Sequence, residues 1–169
     1  MKQLLNVCFK MLIAFAALAI LPSCYAQDSQ LKDQLSDTKT IVLQASRIES
    51  ARLIVVNAEE AKSRALKSTD RIAGYPIEGE FVKVSNTDAQ KLIQLILDDE
   101  NYAAVRQRCR STYLMGLRFT SDTKIVEFAL SMPCQQAIWA SKADGKVEYY
   151  GAVLGTQAAK EIVSILEKK

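Results

Sequence analysis

Residues 116–131 read GLRFTSDTKIVEFALS, and a polar turn at residues 122–123 joins two β-type stretches. With two residues in the turn, apolar side chains oppose each other on one face of the hairpin, and opposite charges meet on the other. The opposing pairs are Leu117 with Phe128, Phe119 with Val126, and Arg118 with Glu127. The stretch therefore predicts an antiparallel β-hairpin with a defined register.

A second hairpin follows, and Asp144-Gly145 marks its turn. Asp-Gly is a strong signal for the tight type I′ turn, which fixes the register of the two flanking strands. In that register Trp139 opposes Tyr150, and both share a face with polar side chains. We therefore expect Trp139 and Tyr150 to form an exposed aromatic pair that could anchor a partner, and we expect Tyr149 to lie in the core.

The remaining segments supply two more strands and two helices. Residues 47–57 contain a branched apolar run, and residues 75–84 form another β-type segment. Asn86 is predicted to cap a helix with an apolar stripe, and Gly155-Thr156 begins a final amphipathic helix. The order β-β-α-β-β-β-β-α predicts an α+β fold, in which an antiparallel sheet of four to six strands has the two helices packed on one face.

The first 26 residues have the pattern of an export signal. Lys2 and Lys10 precede an apolar run of 11 residues, Met11–Leu21, which Pro22 ends. A membrane-spanning helix needs about 20 apolar residues, so this run is too short for an anchor. The predicted organisation is an export signal at 1–26, a polar tether with loosely helical spacing at 27–46, and a single α+β domain at 47–169.

Two processing routes fit the end of this signal. Cleavage after Ala26 would release a soluble periplasmic or secreted protein, and this is the route we favour. Leu21-Pro22-Ser23-Cys24 also resembles the bacterial lipoprotein box, in which the cysteine is modified, although Pro22 departs from the usual residue. On that second route the protein would be held at the membrane only through a lipid on Cys24.

Both routes leave Cys109 and Cys134 in an oxidising compartment, where disulfides persist. The register of the first hairpin places Cys134 opposite Ser111, two residues from Cys109, so the two sulfur atoms converge at the open end of the hairpin. We therefore predict a disulfide between Cys109 and Cys134. The alternatives are two buried free thiols and a thiol redox pair, although the sequence has no Cys-x-x-Cys motif.

The composition narrows the functional classes. The 169 residues include no histidine, which removes Ser-His-Asp and Cys-His catalysis and the commonest zinc and copper ligand. The formal net charge is +3, and two of the lysines lie in the export signal, so there is no electrostatic case for nucleic-acid binding. The sequence has no glycine-rich phosphate loop and no metal-ligand spacing, and we expect no cofactor, no metal and no catalytic residue.

The second half of the chain carries a sparse motif, in which a helix is followed by a tyrosine, a cysteine, Gly-x-x-Phe and a further cysteine. In this chain the motif reads Tyr102, Cys109, Gly116-Leu117-Arg118-Phe119 and Met132-Pro133-Cys134. With this pattern, residues 77–169 resemble a group of small exported bacterial α+β proteins of unknown function. The resemblance implies a stand-alone domain and brings no activity with it.

We expect a non-catalytic exported or envelope-associated domain that binds another macromolecule, either a protein or an envelope component. A protective role, such as immunity against a delivered toxin, is one version of this function. The candidate partner contacts are Trp139, Tyr150, Arg118 and Glu127. Two alternatives come from other classes: a carboxylate-dependent hydrolase that uses Glu127 or Glu148, and a thiol redox protein that uses Cys109 and Cys134.

The two processing routes differ in what they predict for a Cys24→Ser variant. We expect wild type and variant alike to take up no fatty-acid label and to be recovered in the soluble exported fraction, because cleavage after Ala26 removes the thiol that a lipid would occupy. Labelling of exported protein with a fatty-acid analogue measures this. Label that is present in the wild type and lost in Cys24→Ser would establish the lipoprotein route instead.

Overall fold

The computed structural model describes residues 36–55, 70–102, 112–122, 124–132, 134–143 and 145–168. The chain divides into two compact units, Met1–Asp37 and Thr38–Lys169, and the strands of the described residues belong to the second unit. The export signal, Cys24 and Cys109 lie outside the described residues.

Seven strands and three helices make up the described part of the chain. The strands are β1 (Arg47–Leu53), β2 (Arg71–Ile72), β3 (Tyr75–Lys83), β4 (Tyr113–Ser121), β5 (Lys124–Ser131), β6 (Gln136–Ala143) and β7 (Lys146–Val153). The helices are α1 (residues 36–43), α2 (Asn86–Leu97) and α3 (Thr156–Leu166), and a short 3-10 turn (Asp99–Asn101) follows α2.

The seven strands form one antiparallel sheet in the order β2-β3-β1-β4-β5-β6-β7, and the sheet curls into a half-barrel. The predicted sheet of four to six strands with two helices packed on one face is therefore wrong. The additional strand β2 lies in a predicted connector, where the chain reverses at Ala73 and Gly74 with φ angles of 48° and 85°. The additional helix α1 lies in the predicted polar tether, where Ile41 and Val42 are buried.

The second hairpin has the predicted register, and the first has it from Met115 to the turn; a bulge between Tyr113 and Met115 then shifts the pairing by one residue, so that Tyr113 pairs with Ser131. Leu117 pairs with Phe128, Arg118 with Glu127, Trp139 with Tyr150, and Ala140 with Tyr149. Because side chains alternate along a strand, these pairs define two faces of the sheet. The Phe128 face carries Leu117, Phe119, Val126, Phe128, Trp139 and Tyr150, and the Glu127 face carries Gly116, Arg118, Glu127, Ala129, Ala140 and Tyr149.

Both faces are buried at the centre of the sheet, and every residue of β5 from Val126 to Ser131 is buried. On the Phe128 face, the Thr38 hydroxyl of α1 hydrogen-bonds the hydroxyl of Tyr150. On the Glu127 face, the turn between β2 and β3 folds back over the sheet and closes an apolar cluster. That cluster contains Ala51, Leu53, Ile72, Ala73, Ile77, Ala129 and Ala140.

The helix α2 is capped by Ser85, whose hydroxyl accepts a hydrogen bond from the N–H of Asp88 at 3.2 Å. The predicted cap at Asn86 is wrong by one residue, because serine and asparagine are similarly good cap residues and here they are neighbours. The helix α3 begins directly after Gly155, as predicted.

Gly116 is a point of very close approach between the sheet and β2. A Cβ atom placed on Gly116 would lie 2.7 Å from Cγ2 and 2.9 Å from Cδ1 of Ile72. Ile72 is fully buried and β-branched, so its side chain has little room to move. The missing side chain of Gly116 is therefore what lets β2 pack against β4.

We predict that Gly116→Ala lowers the free energy of unfolding by about 1–3 kcal/mol, because the added methyl group overpacks the contact with Ile72. Urea unfolding followed by the fluorescence of Trp139, the single tryptophan of the chain, measures the change. In an Ile72→Ala background the same substitution should be less destabilising, because the clashing atoms are gone. Equal losses in the two backgrounds would contradict this account.

Candidate functional site

The predicted aromatic pair of the second hairpin lies in the core. Trp139 is 0% exposed, Tyr150 is 9% exposed, and the ring centroids of Trp139 and Phe128 are 4.8 Å apart. The expected exposure of Trp139 and Tyr150 is therefore wrong. The expected burial of Tyr149 is wrong too, because this residue is 58% exposed. The sequence pattern could not assign the faces because β6 carries apolar residues on both of them, such as Trp139 and Ala140.

A buried ion cluster occupies the centre of the Glu127 face. Glu127 is 0% exposed, and its Oε1 accepts from Nε of Arg118 at 3.0 Å and from Nζ of Lys142 at 2.8 Å. Its Oε2 accepts from the backbone N–H of Ala73 at 2.7 Å. A single carboxylate is thus held by two cations and by the turn between β2 and β3.

The guanidinium of Arg118 is held in place by further contacts. Its Nη2 donates to the carbonyl oxygen of Arg71 at 2.6 Å, and its Cζ lies 4.1 Å from the centre of the Phe81 ring. Stacking on an aromatic ring and forked hydrogen bonds together fix the plane of a guanidinium. The predicted pairing of Arg118 with Glu127 is confirmed. Because Glu127 is buried, however, it serves as an internal counter-ion and not as an exposed contact.

Opposite charges alternate across four neighbouring strands next to this cluster. Lys83 opposes Glu49, Glu49 opposes Arg118, and Arg118 opposes Glu127, and we name these four residues the charged row. Glu49 is itself buried and forms an ion pair with Arg47. Since opposite charges facing each other stabilise strand pairing, the charged row supports the register of β3, β1, β4 and β5 together.

A cavity of about 560 Å³ lies beside the charged row, and we name it the charged cavity. Its walls include Arg47, Glu49, Asp70, Glu80, Phe81 and Arg118. Small-ligand sites typically have volumes of about 300–1,000 Å³, so this cavity can accept a small molecule. Most small-ligand sites are lined mainly by apolar side chains, whereas the walls of this cavity carry charges of both signs.

A second, more apolar depression of about 290 Å³ lies along β6 and the edge strand β7. Its lining includes Tyr113, Ile138, Tyr149 and Gly151, which we name the tyrosine groove. The ring centroids of Tyr113 and Tyr75 are 4.5 Å apart. Burial raises the pKa of the Tyr75 hydroxyl, and the neighbouring Tyr113 raises it further. Tyr113 begins β4, so the groove and the charged cavity lie at opposite ends of that strand.

The two carboxylates named for a hydrolase lie on opposite faces of the sheet. Glu127 opposes Ala140 on the Glu127 face, whereas Glu148 opposes Ser141 on the Phe128 face. Carboxylates with a sheet between them cannot flank one scissile bond, as glycosidases require.

Only one of the two cysteines of the predicted disulfide lies within the described residues. Cys134 is 0% exposed, whereas Cys109 lies outside the described residues. The disulfide between Cys109 and Cys134 and the redox alternative therefore stay predictions.

Among the described residues, neither a metal site nor a membrane-spanning helix adds a further candidate site, and no known family assigns one. Among the residues that the structure describes, no group of three or more Cys, Asp or Glu could hold a metal ion. Within the same ranges, the helices are too short or too polar to cross a bilayer. No family model, curated protein or solved structure matches the chain. The resemblance to small exported bacterial proteins stays a prediction.

Sequence reasoning missed Lys142 and the tyrosine groove. Lys142 directly opposes Ile125, and only the length of its side chain brings Nζ diagonally to Glu127. A lysine placed two positions from Ala140, the direct partner of Glu127, was the available signal. Tyr113 and Tyr149 are far apart in the sequence, and only the complete sheet brings them to one groove.

We predict that Glu127→Gln lowers the free energy of unfolding by about 3 kcal/mol, because Arg118 and Lys142 both lose the charge of a carboxylate that is itself 0% exposed. Urea unfolding measures the loss. Glu49→Gln is the matched control: Glu49 is also buried, but its partner Arg47 has a side chain that is 64% exposed. Since water can solvate Arg47, the control should lose less than Glu127→Gln. Equal losses would contradict the central role of Glu127.

Proposed function

We propose that this protein is a non-catalytic exported domain that binds a protein partner, and that the partner docks on the tyrosine groove. The observation that carries the proposal is the exposure of Tyr149, which is 58% accessible at the edge of the groove. Val147 lies on the same face two residues away and is 45% exposed. Large exposed apolar side chains beside a groove are typical of interaction surfaces.

The chemistry of the groove suits a protein better than a purely apolar ligand. Tyrosine rings provide a large contact area with little loss of side-chain freedom, and their hydroxyls hydrogen-bond at the rim. Tyrosine and arginine are enriched in the centres of protein interfaces, whereas lysine and glutamate are depleted there. Tyr113 and Tyr149 supply the first of these residue types within one depression.

The arrangement of the charged residues supports binding over catalysis. A general acid or base must exchange a proton with a substrate, so it needs an oxygen that can reach the substrate. In Glu127 both oxygens accept hydrogen bonds from Arg118, Lys142 and Ala73. Its carboxylate therefore serves the fold, and the alternative carboxylate Glu148 lies on the other face.

Export belongs to the same proposal. The apolar run Met11–Leu21 behind Lys2 and Lys10 supports delivery across a membrane, followed either by release after Ala26 or by lipidation of Cys24. A disulfide between Cys109 and Cys134 would suit that compartment. The domain would then meet its partner in the periplasm or outside the cell, and a protective role is one form that such binding takes.

Site-specific photo-crosslinking in the native cell tests the docking surface. A photoreactive phenylalanine at position 149 should give a discrete adduct, because this side chain lies at the groove and is accessible. The same residue at position 43 is the matched control, since Leu43 is 66% exposed but belongs to α1. In protein without the photoreactive residue, Tyr149→Ala should weaken co-purification of the crosslinked partner at least tenfold, and Leu43→Ala should not.

Digestion of the adduct decides the class of partner. A protease-sensitive adduct formed at position 149 and not at position 43 supports the proposal. An adduct that resists protease and yields to glycan-degrading enzymes would point to an envelope polymer and overturn the proposed protein partner. No adduct at position 149, or equal adducts at both positions, would overturn the groove as the docking surface.

A further inference from the structure

We propose that the charged cavity is a binding site for a small ammonium carboxylate, in which Arg118 receives the carboxylate and Glu80 receives the ammonium group. This site is separate from the tyrosine groove, because the two depressions lie at opposite ends of β4. The inference therefore does not depend on the proposed protein partner.

Arg118 is already held in a fixed orientation beside the cavity. Its Nε and Nη2 are engaged by Glu127 and by the carbonyl oxygen of Arg71, and one side of the guanidinium plane lies on Phe81. Its Nη1 donates to no residue within the described ranges. Arg118 also lines the charged cavity. A guanidinium held in this way loses little freedom when it binds a carboxylate, so more of the interaction energy contributes to affinity.

The ion cluster formed by Glu127, Arg118 and Lys142 carries a net positive charge. Arg118 and Lys142 both contact Oε1 of Glu127, with distances to that oxygen of 2.9 Å from Nη2 and 2.8 Å from Nζ. Two cations on a single carboxylate leave an excess of one positive charge. Glu49 faces Arg118 across the sheet, but its negative charge is compensated by Arg47, so the excess remains. Since charge interactions are stronger beside buried groups than in bulk water, an anionic group is favoured at this end of the cavity.

Another wall of the charged cavity carries negative charge. Glu80 and Asp70 are both exposed and belong to the lining of the cavity, where they would repel a simple anion. A ligand that carries an ammonium group beyond its carboxylate satisfies both walls. Complementary charges at two separate points also select against ligands that carry only one of the two groups.

The test is a calorimetric titration of the processed exported protein with two amino acids of different length, 4-aminobutyrate and 6-aminohexanoate. The comparison ligands carry one charge each: butyrate, hexanoate, butylammonium and hexylammonium. We expect at least one amino acid to bind ten times more tightly than both of its single-charge analogues. Amino acids that bind no more tightly than these analogues would overturn the proposal.

Two variants assign the ends of the ligand. Glu80→Gln should reduce the affinity for the amino acid to that of the matching carboxylate, while the affinity for the carboxylate itself does not fall. Arg118→Lys should weaken the amino acid and the carboxylate alike by tenfold or more, provided that Trp139 fluorescence shows a folded protein. Glu148→Gln, on the Phe128 face, is the control and should change neither affinity.

Because Arg118 also holds Glu127, the variant at Arg118 could fail to fold. In that case Glu80→Gln decides the matter alone, since Glu80 is exposed and its substitution leaves the ion cluster intact. Tight binding of an amino acid that Glu80→Gln does not weaken would overturn the assignment of the cavity as the site.

Discussion

The carboxylate of Glu127 joins parts of the molecule that are distant in the sequence. It accepts from Arg118 on β4, from Lys142 on β6 and from the N–H of Ala73 in the turn between β2 and β3. Burial of apolar surface drives the turn onto the sheet but has no direction, so it cannot choose where the turn lies. The hydrogen bond from Ala73 fixes the position of the turn, because the backbone N–H of Ala73 must meet one particular oxygen of Glu127.

The energies of this contact agree with its importance. Ala73 has a φ angle of 48°, in the left-handed region that disfavours a residue with a side chain by roughly 1–2 kcal/mol. A hydrogen bond to an ionised group contributes about 1.5–3 kcal/mol, which is enough to offset that strain. The turn is therefore held by the ion cluster in spite of its backbone conformation.

The sequence predicted what depends on neighbouring strands and failed where distant segments meet. The hairpin registers were right near the turns, because a short turn and the pairs beside it decide a register locally, and the bulge between Tyr113 and Met115, far from the turn, was missed. The packing of β2 over the sheet was missed, because it brings Ile72 against Gly116, a contact between segments more than forty residues apart. The same contact explains the burial of Glu127, which alternation alone assigns to a polar surface. The faces of Trp139 and Tyr149 were exchanged for a related reason, since apolar residues occupy both faces of β6.

The charged row also limits the ways in which these strands can misalign during folding. A slip of two residues between β4 and β5 would keep every apolar side chain on its own face, so hydrophobic alternation cannot prevent it. Such a slip would place Arg118 opposite Ala129 or Ile125 and leave two ionised groups facing aliphatic neighbours. For Glu127, whose side chain is 0% exposed, the loss of its ion-pair partner would be strongly unfavourable. The charged row therefore disfavours a shift of two residues between the strands, which a sheet with only apolar side chains would tolerate.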